Sequence, residues 1–263
     1  MKQLIAFFSL SYGISWLIWF PLYGHLLGIP KLPIVPYHHA LGALGPLIAS
    51  FISTYIYSGS AGVKGLLGQC FKIKPFVYVL IALLSPFILM AIAVGMSYVI
   101  NHKPIDLSAI LSSKEFPGFN LLSFFIYNLI FFGFGEEVGW RGFALPRLQA
   151  NMSALNASIL LTLFWALWHW PLFFYRPSFM GMGFGGTIGW VFSLLTGSVL
   201  LTWLYNSSRA SILVCAIFHS TVDIAFTADF SDQNIMNYMG MLITVWGILT
   251  IVIFKPAKLR KNN

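Results

Sequence analysis

Glu136 and Glu137 stand side by side, and Arg141 follows four residues after the second, in the otherwise apolar run from Phe131 to Gly142. A carboxylate can take a proton from water and pass it to a leaving group, and a neutral imidazole can share that work. The same residue types can instead hold a divalent metal such as zinc with an open water position. Imidazoles come from two other places. His169 lies four residues after Trp165 and two before Pro171, and His219 lies four residues before Asp223. Glu136, Glu137, Arg141, His169, His219 and Asp223 are therefore the candidate catalytic residues. Should a metal be bound, Glu136, His169, His219 and Asp223 are its candidate ligands.

The elements that must position them are set by composition. The chain has 263 residues, of which 58% are hydrophobic and 8% charged. A soluble domain carries about 25% charged residues, so a soluble globule is excluded. Apolar runs of roughly twenty residues favour helices over the alternating segments of about ten that a membrane barrel needs. The expected fold is an all-α polytopic membrane protein, a bundle of about eight transmembrane helices with a polar site between helices 4, 5 and 7. The spans fall at about 3 to 27, 38 to 58, 75 to 100, 119 to 146, 153 to 175, 187 to 205, 210 to 228 and 235 to 254. The first is too long for the apolar core of a secretory signal and reads as a retained helix, with Trp16, Trp19 and Tyr23 as an interfacial belt. Residues 59 to 74, with Lys64, Lys72 and Lys74, read as an amphipathic segment lying on an anionic leaflet. A polar connection with Asp106, Lys114 and Glu115 precedes the fourth span. No repeat or linker divides the chain, so 1–263 reads as a single integral-membrane domain with a motif-bearing core over about 119–229.

Three of the seven acidic residues and two of the six histidines fall inside these spans. A charge at the bilayer centre costs about 2.5 to 3.5 kcal/mol on insertion scales, which makes each such residue a functional hypothesis once a partner is named. Glu137 and Arg141 share a helix face and can pair. Glu136 is turned about 100° away, without a partner on its own helix, so its partner should lie across the bundle. His219 and Asp223 share a face of the seventh helix. Meeting in one place relieves the burial cost of all of them. The depths agree if the fourth helix runs on to Gln149 or the fifth is tilted or kinks near Pro171. Gly133, Gly135, Gly139 and Gly142 permit close helix packing, Gly135 and Gly139 at a GxxxG spacing.

Other features carry less chemistry. His38 and His39 are adjacent and cannot face one ligand from a helix, so a loop or interface role is expected. Cys70 and Cys215 lack paired spacing, so neither a disulfide framework nor a cysteine metal site is supported. The net charge of +8 sits in short loops, where it sets topology rather than marking a nucleic-acid partner. With the N-terminus inside, Lys2, Lys64, Lys72, Lys74, Arg147, Arg209, Lys255, Lys258, Arg260 and Lys261 face inward, against Lys31, Lys103, Lys114 and Arg176 outside. Both termini are therefore expected in the cytoplasm.

Taken together, Glu136-Glu137-x-x-x-Arg141, Trp165-x-x-x-His169 and His219-x-x-x-Asp223 resemble the CPBP family of intramembrane proteases. That family includes the CAAX prenyl proteases and the Abi bacteriocin-immunity group. Its motifs EExxxR, FxxxH and Hxxx(N/D) occur in this order on an eight-helix core. The resemblance implies an intramembrane endopeptidase acting on a membrane-associated peptide or lipidated protein, CAAX-like prenylated or bacteriocin-type. It implies that Glu136 and His169 activate water, that Glu137 and Arg141 orient the site, and that His219 with residue 223 stabilises the oxyanion. Trp165 replaces the usual phenylalanine as an aromatic wall, and Asp223 stands where prenyl-processing members have asparagine. Both a metal-dependent and a glutamate-only mechanism are compatible with the family. The alternatives are a non-enzymatic bacteriocin self-immunity or membrane scaffold protein of the same fold, and a proton-coupled transporter using the same residues as a relay. A multi-pass protein of a prokaryotic cell membrane, in contact with the lipid bilayer, is the expected setting.

Overall fold

A computed structural model describes residues 2–102, 104, 118–228, 230, 232 and 234–260. The expected polar connection with Lys103, Asp106, Lys114 and Glu115 lies outside these residues, as do Asp229 and Lys261. Among the described residues the chain is helical, with no β-strand. The helices are α1 (Lys2–Tyr23), α2 (His38–Cys70), α3 (Phe76–Asn101), α4 (Leu121–Gln149), α5 (Ala154–Trp168), α6 (Phe184–Ser207), α7 (Ile212–Phe226) and α8 (Asn234–Phe254). Among the described residues seven helical segments are long and apolar enough to cross a membrane, the one containing α5 by virtue of a 3₁₀ extension to Phe174. The chain is a multi-pass membrane protein. α7, at 15 residues and without such an extension, is shorter than a span.

α7 is short because it is interior. Eleven of its residues are buried, from Ile212 to Ala225, and a helix apolar on all sides has to be surrounded by others. It packs on α3, α4 and α6. Ser211 caps its start by accepting from the Val214 N–H at 3.2 Å, and the Thr221 hydroxyl donates to the Ala82 carbonyl of α3 at 2.8 Å. α4 is the other central element, buried almost without break from Gly135 to Leu145. Asn120 caps its start through the Ser123 N–H at 2.9 Å.

α1 is strapped to α5 by side chains. Tyr12 donates to the Phe164 carbonyl at 2.6 Å, Trp16 to the Trp168 carbonyl at 3.0 Å, and Trp168 to Ser15 Oγ at 2.8 Å. Trp19 is fully buried and donates to the His39 carbonyl at 2.7 Å. The expected aromatic belt is thus corrected for Trp16 and Trp19, whose indole N–H groups bind protein carbonyls instead of interfacial water. His38 and His39 indeed diverge. His38 Nε2 bonds the Ile18 carbonyl at 2.6 Å, and His39 Nδ1 pairs with the Tyr175 hydroxyl at 2.8 Å. α2 is interrupted at Gly59, whose φ of 60° and ψ of −163° leave the helical region, where the second span was expected to end. Its continuation to Cys70 buries Leu66 and Cys70, so that segment is packed against the bundle along one side.

One end of the bundle gathers both termini. Arg147 donates to Gln3 at 2.8 Å, the Ala154 N–H to the Ala257 carbonyl at 3.0 Å, and Asn206 to the Lys258 carbonyl at 2.8 Å. Lys72 reaches the Arg209 carbonyl at the same end. At the other end Asp232 accepts from Ser97 and from Asn101, tying α3 to the start of α8.

Candidate active site

Glu136 and Glu137 occupy a single α-helical turn between two π-helical stretches of α4, Leu129–Phe134 and Val138–Ala144. A π turn holds one more residue than an α turn and occurs frequently at functional sites. What presses neighbours against these turns is the absence of side chains. A Cβ on Gly133 would stand 2.6 Å from the Ala216 carbonyl oxygen of α7, and one on Gly139 would stand 2.7 Å from the Pro46 carbonyl oxygen of α2. Gly135 is closed in the same way by Ala43, at 2.9 Å. The backbones of α2 and α7 thus approach α4 more closely than any larger residue allows, as the glycine spacing suggested.

That approach delivers His219. Its Nδ1 lies 2.7 Å from Glu137 Oε1, the same oxygen that accepts from Arg141 Nη1 at 2.9 Å. An oxygen already accepting from a guanidinium matches an Nδ1–H donor, which leaves His219 Nε2 facing the site. Glu136 Oε1 is 4.0 Å from that nitrogen and Asp223 Oδ2 is 3.6 Å from it. Both distances are ion-pair contacts longer than a direct hydrogen bond.

Glu136 Oε2 accepts from two indoles, Trp165 Nε1 at 2.7 Å and Trp140 Nε1 at 3.2 Å. Trp165 comes from across the bundle, as expected of a partner. Trp140 is on the same helix, so the expectation that Glu136 has no partner there is corrected. The i, i+4 spacing of Trp140 was the signal that could have found it. Ser198 of α6, which accepts from Arg141 Nη2 at 3.1 Å, had no such signal among the many hydroxyl residues of the spans.

His169 caps α5, where the α-helix gives way to the 3₁₀ turn Trp170–Phe174 containing Pro171. Its Nδ1 bonds the Trp165 carbonyl at 2.7 Å, which leaves Nε2 available. The Trp165 ring lies 5.9 Å from the His169 ring and 5.6 Å from the His219 ring. The two imidazoles thus flank one indole. His169 makes no hydrogen bond or ion pair to Glu136 or His219 among the described residues, so it joins the cluster through Trp165. One of the two conditions for matched depth holds, since α4 reaches Gln149, and the α-helix of α5 gives way to a 3₁₀ turn after His169.

Side-chain exposure rises from 0% at Glu137 and Arg141, through 4% at Glu136 and 9% at His219, to 32% at Asp223. The cluster therefore opens on the Asp223 side. Among the described residues no three His, Cys, Asp or Glu side chains converge as a metal site. Glu136 Oε2 is committed to two indoles and His169 Nδ1 to its own helix, so a metal ion would have to draw on Glu136 Oε1, His169 Nε2, His219 Nε2 and Asp223.

Residues 118–225, which hold all six candidates, match the family described as type II CAAX prenyl endopeptidase, Rce1-like. This region is similar to that family. The chain is also 28% identical over 233 residues to CAAX prenyl protease 2 of Methanococcus maripaludis, covering 83% of this chain and 82% of that protein. An Rce1-like region in a bundle of membrane-spanning helices supports an endopeptidase that works within the membrane.

Proposed function

We propose that the chain hydrolyses a peptide bond in a CAAX-like prenylated protein held at the membrane. The observation that carries this reading is the meeting of Glu136, Glu137, His219 and Asp223, with His169 beside them, inside the bundle. A carboxylate oxygen 4.0 Å from an imidazole nitrogen, near enough for both to reach one attacking water, is the arrangement a general base needs. Glu136 Oε1, with His169 at the same pocket, takes the proton as water attacks the scissile carbonyl carbon. The oxygen of that carbonyl becomes the oxyanion, and His219 Nε2 stabilises it when the ring carries both protons. On collapse the carbon–nitrogen bond breaks, the proton held by Glu136 passes to the departing amine, and the products are a carboxylic acid and an amine.

In this reading Glu137 and Arg141 fix the His219 ring through Nδ1, and Asp223 aligns it from the Nε2 side. Asp223 acts as an acceptor here, which suits a positioning role better than oxyanion donation. Both termini lie in the cytoplasm of a prokaryotic cell, because the end that gathers them also gathers Lys72, Arg147, Arg209 and Lys258.

The test is cleavage of a farnesylated CAAX peptide by the purified protein in proteoliposomes. Glu136→Ala and His169→Ala should each lower kcat by about 10²- to 10⁴-fold. Undiminished cleavage by both rejects the assignment.

A further inference from the structure

We infer that Trp165 and Trp140 form an indole clamp on one oxygen of Glu136, and that Trp165 is a positioning residue for the reaction. The inference rests on Glu136 being the base. A carboxylate has two equivalent oxygens and a free terminal torsion, so an unanchored Glu136 could present either oxygen, or neither, to a water. Here both donors fall on Oε2, at 2.7 Å and 3.2 Å, while Oε1 faces His219 Nε2. An indole N–H only donates, so the direction of both bonds is fixed by chemistry. The clamp therefore selects Oε1 as the proton acceptor and holds it at its distance from His219.

Neither indole can swing away. Trp140 is fully buried, edge-on to Phe7 and Trp168 and stacked with Phe8. Trp165 is held from several sides at once. Its ring lies 4.6 Å from the Arg141 guanidinium and edge-on to His219, and its carbonyl accepts from His169. One residue thus touches Glu136, Arg141, His169 and His219, which sets their mutual registration.

A packing role and a positioning role separate on Trp165→Phe, which retains an aromatic ring and deletes the N–H. Positioning expects kcat to fall by about 10- to 100-fold with KM within about twofold, since misplacing a reacting group costs rate rather than binding. The pH–rate profile should be displaced as well. Packing alone expects a lower melting temperature with kcat unchanged. Trp140→Phe should act in the same sense and more weakly, through its longer bond, and it decides the matter by the same readout should Trp165→Phe not be recovered folded. A folded variant that turns over at the wild-type kcat overturns the clamp. If Glu136→Ala itself cleaves normally, the base assignment falls. If Glu136→Ala is inactive and Trp165→Phe is unchanged, the clamp alone falls.

Discussion

At the residue scale, the most demanding group is Arg141. It is fully buried, pairs with Glu137, donates to Ser198 and lies over the Trp165 ring. A buried pair is weak evidence for stability, but breaking one leaves an uncompensated charge. Arg141→Met should therefore destabilise by about 3–5 kcal/mol, read as a lowered unfolding midpoint in detergent, and adding Glu137→Gln should recover part of the loss. No recovery in the double variant would count against the pair as the source. This pair was legible in the sequence, because an i, i+4 carboxylate and guanidinium have little choice of partner in an apolar helix. The shared oxygen of Glu137 was not, since spacing along one helix says nothing about which residue of another helix completes it. Trp165 shows a different gap. Its aromatic surface was legible, but its N–H bond was not, because the carboxylate that accepts it lies on another helix.

At the element scale, α4 carries the site because glycines let α2 and α7 close on it. Gly139→Ala would drive a Cβ to 2.7 Å from the Pro46 carbonyl oxygen, and backbone cannot yield as a side-chain tip can. The expected cost is about 1–3 kcal/mol, with turnover falling as α2 shifts. Gly197→Ala in α6 meets nothing within 4 Å and should be neutral or stabilising by up to about 1 kcal/mol, so the two melting curves form a matched control. The spans themselves were readable because apolar runs of span length permit little else. The π-helical turns on either side of the glutamates were not readable. They depend on how neighbouring helices load the backbone, and no local propensity encodes that. The same limit applies to Trp19, whose amphipathic ring suits an interface and a buried carbonyl equally well.

At the scale of the whole molecule, the end of the bundle away from the termini is joined by Asp232. Its carboxyl is held below the ordinary range, first by the Ser97 hydroxyl and then by the Asn234 backbone N–H. A depressed folded-state pKa means that this contribution is present above the unfolded value of about 3.9 and disappears as pH falls through the folded one. Acid should therefore loosen the wild type below about pH 4 more than it loosens Asp232→Asn, as followed by thermal unfolding across pH. An equal acid response in both proteins would discount the latch. The length of α7 has a consequence of its own. Its 15 residues rise only about 22 Å, against a hydrocarbon layer of about 30 Å. Thinning or thickening the lipid acts on helices that reach both headgroup regions, which answer by tilting. α7 is packed against α3, α4 and α6 along its length, so the histidine it carries keeps its height relative to the carboxylates while the surrounding wall leans. Turnover should accordingly vary less than the melting temperature between short- and long-chain phosphatidylcholine, as though the reaction centre rode on gimbals inside a hull that moves with the membrane.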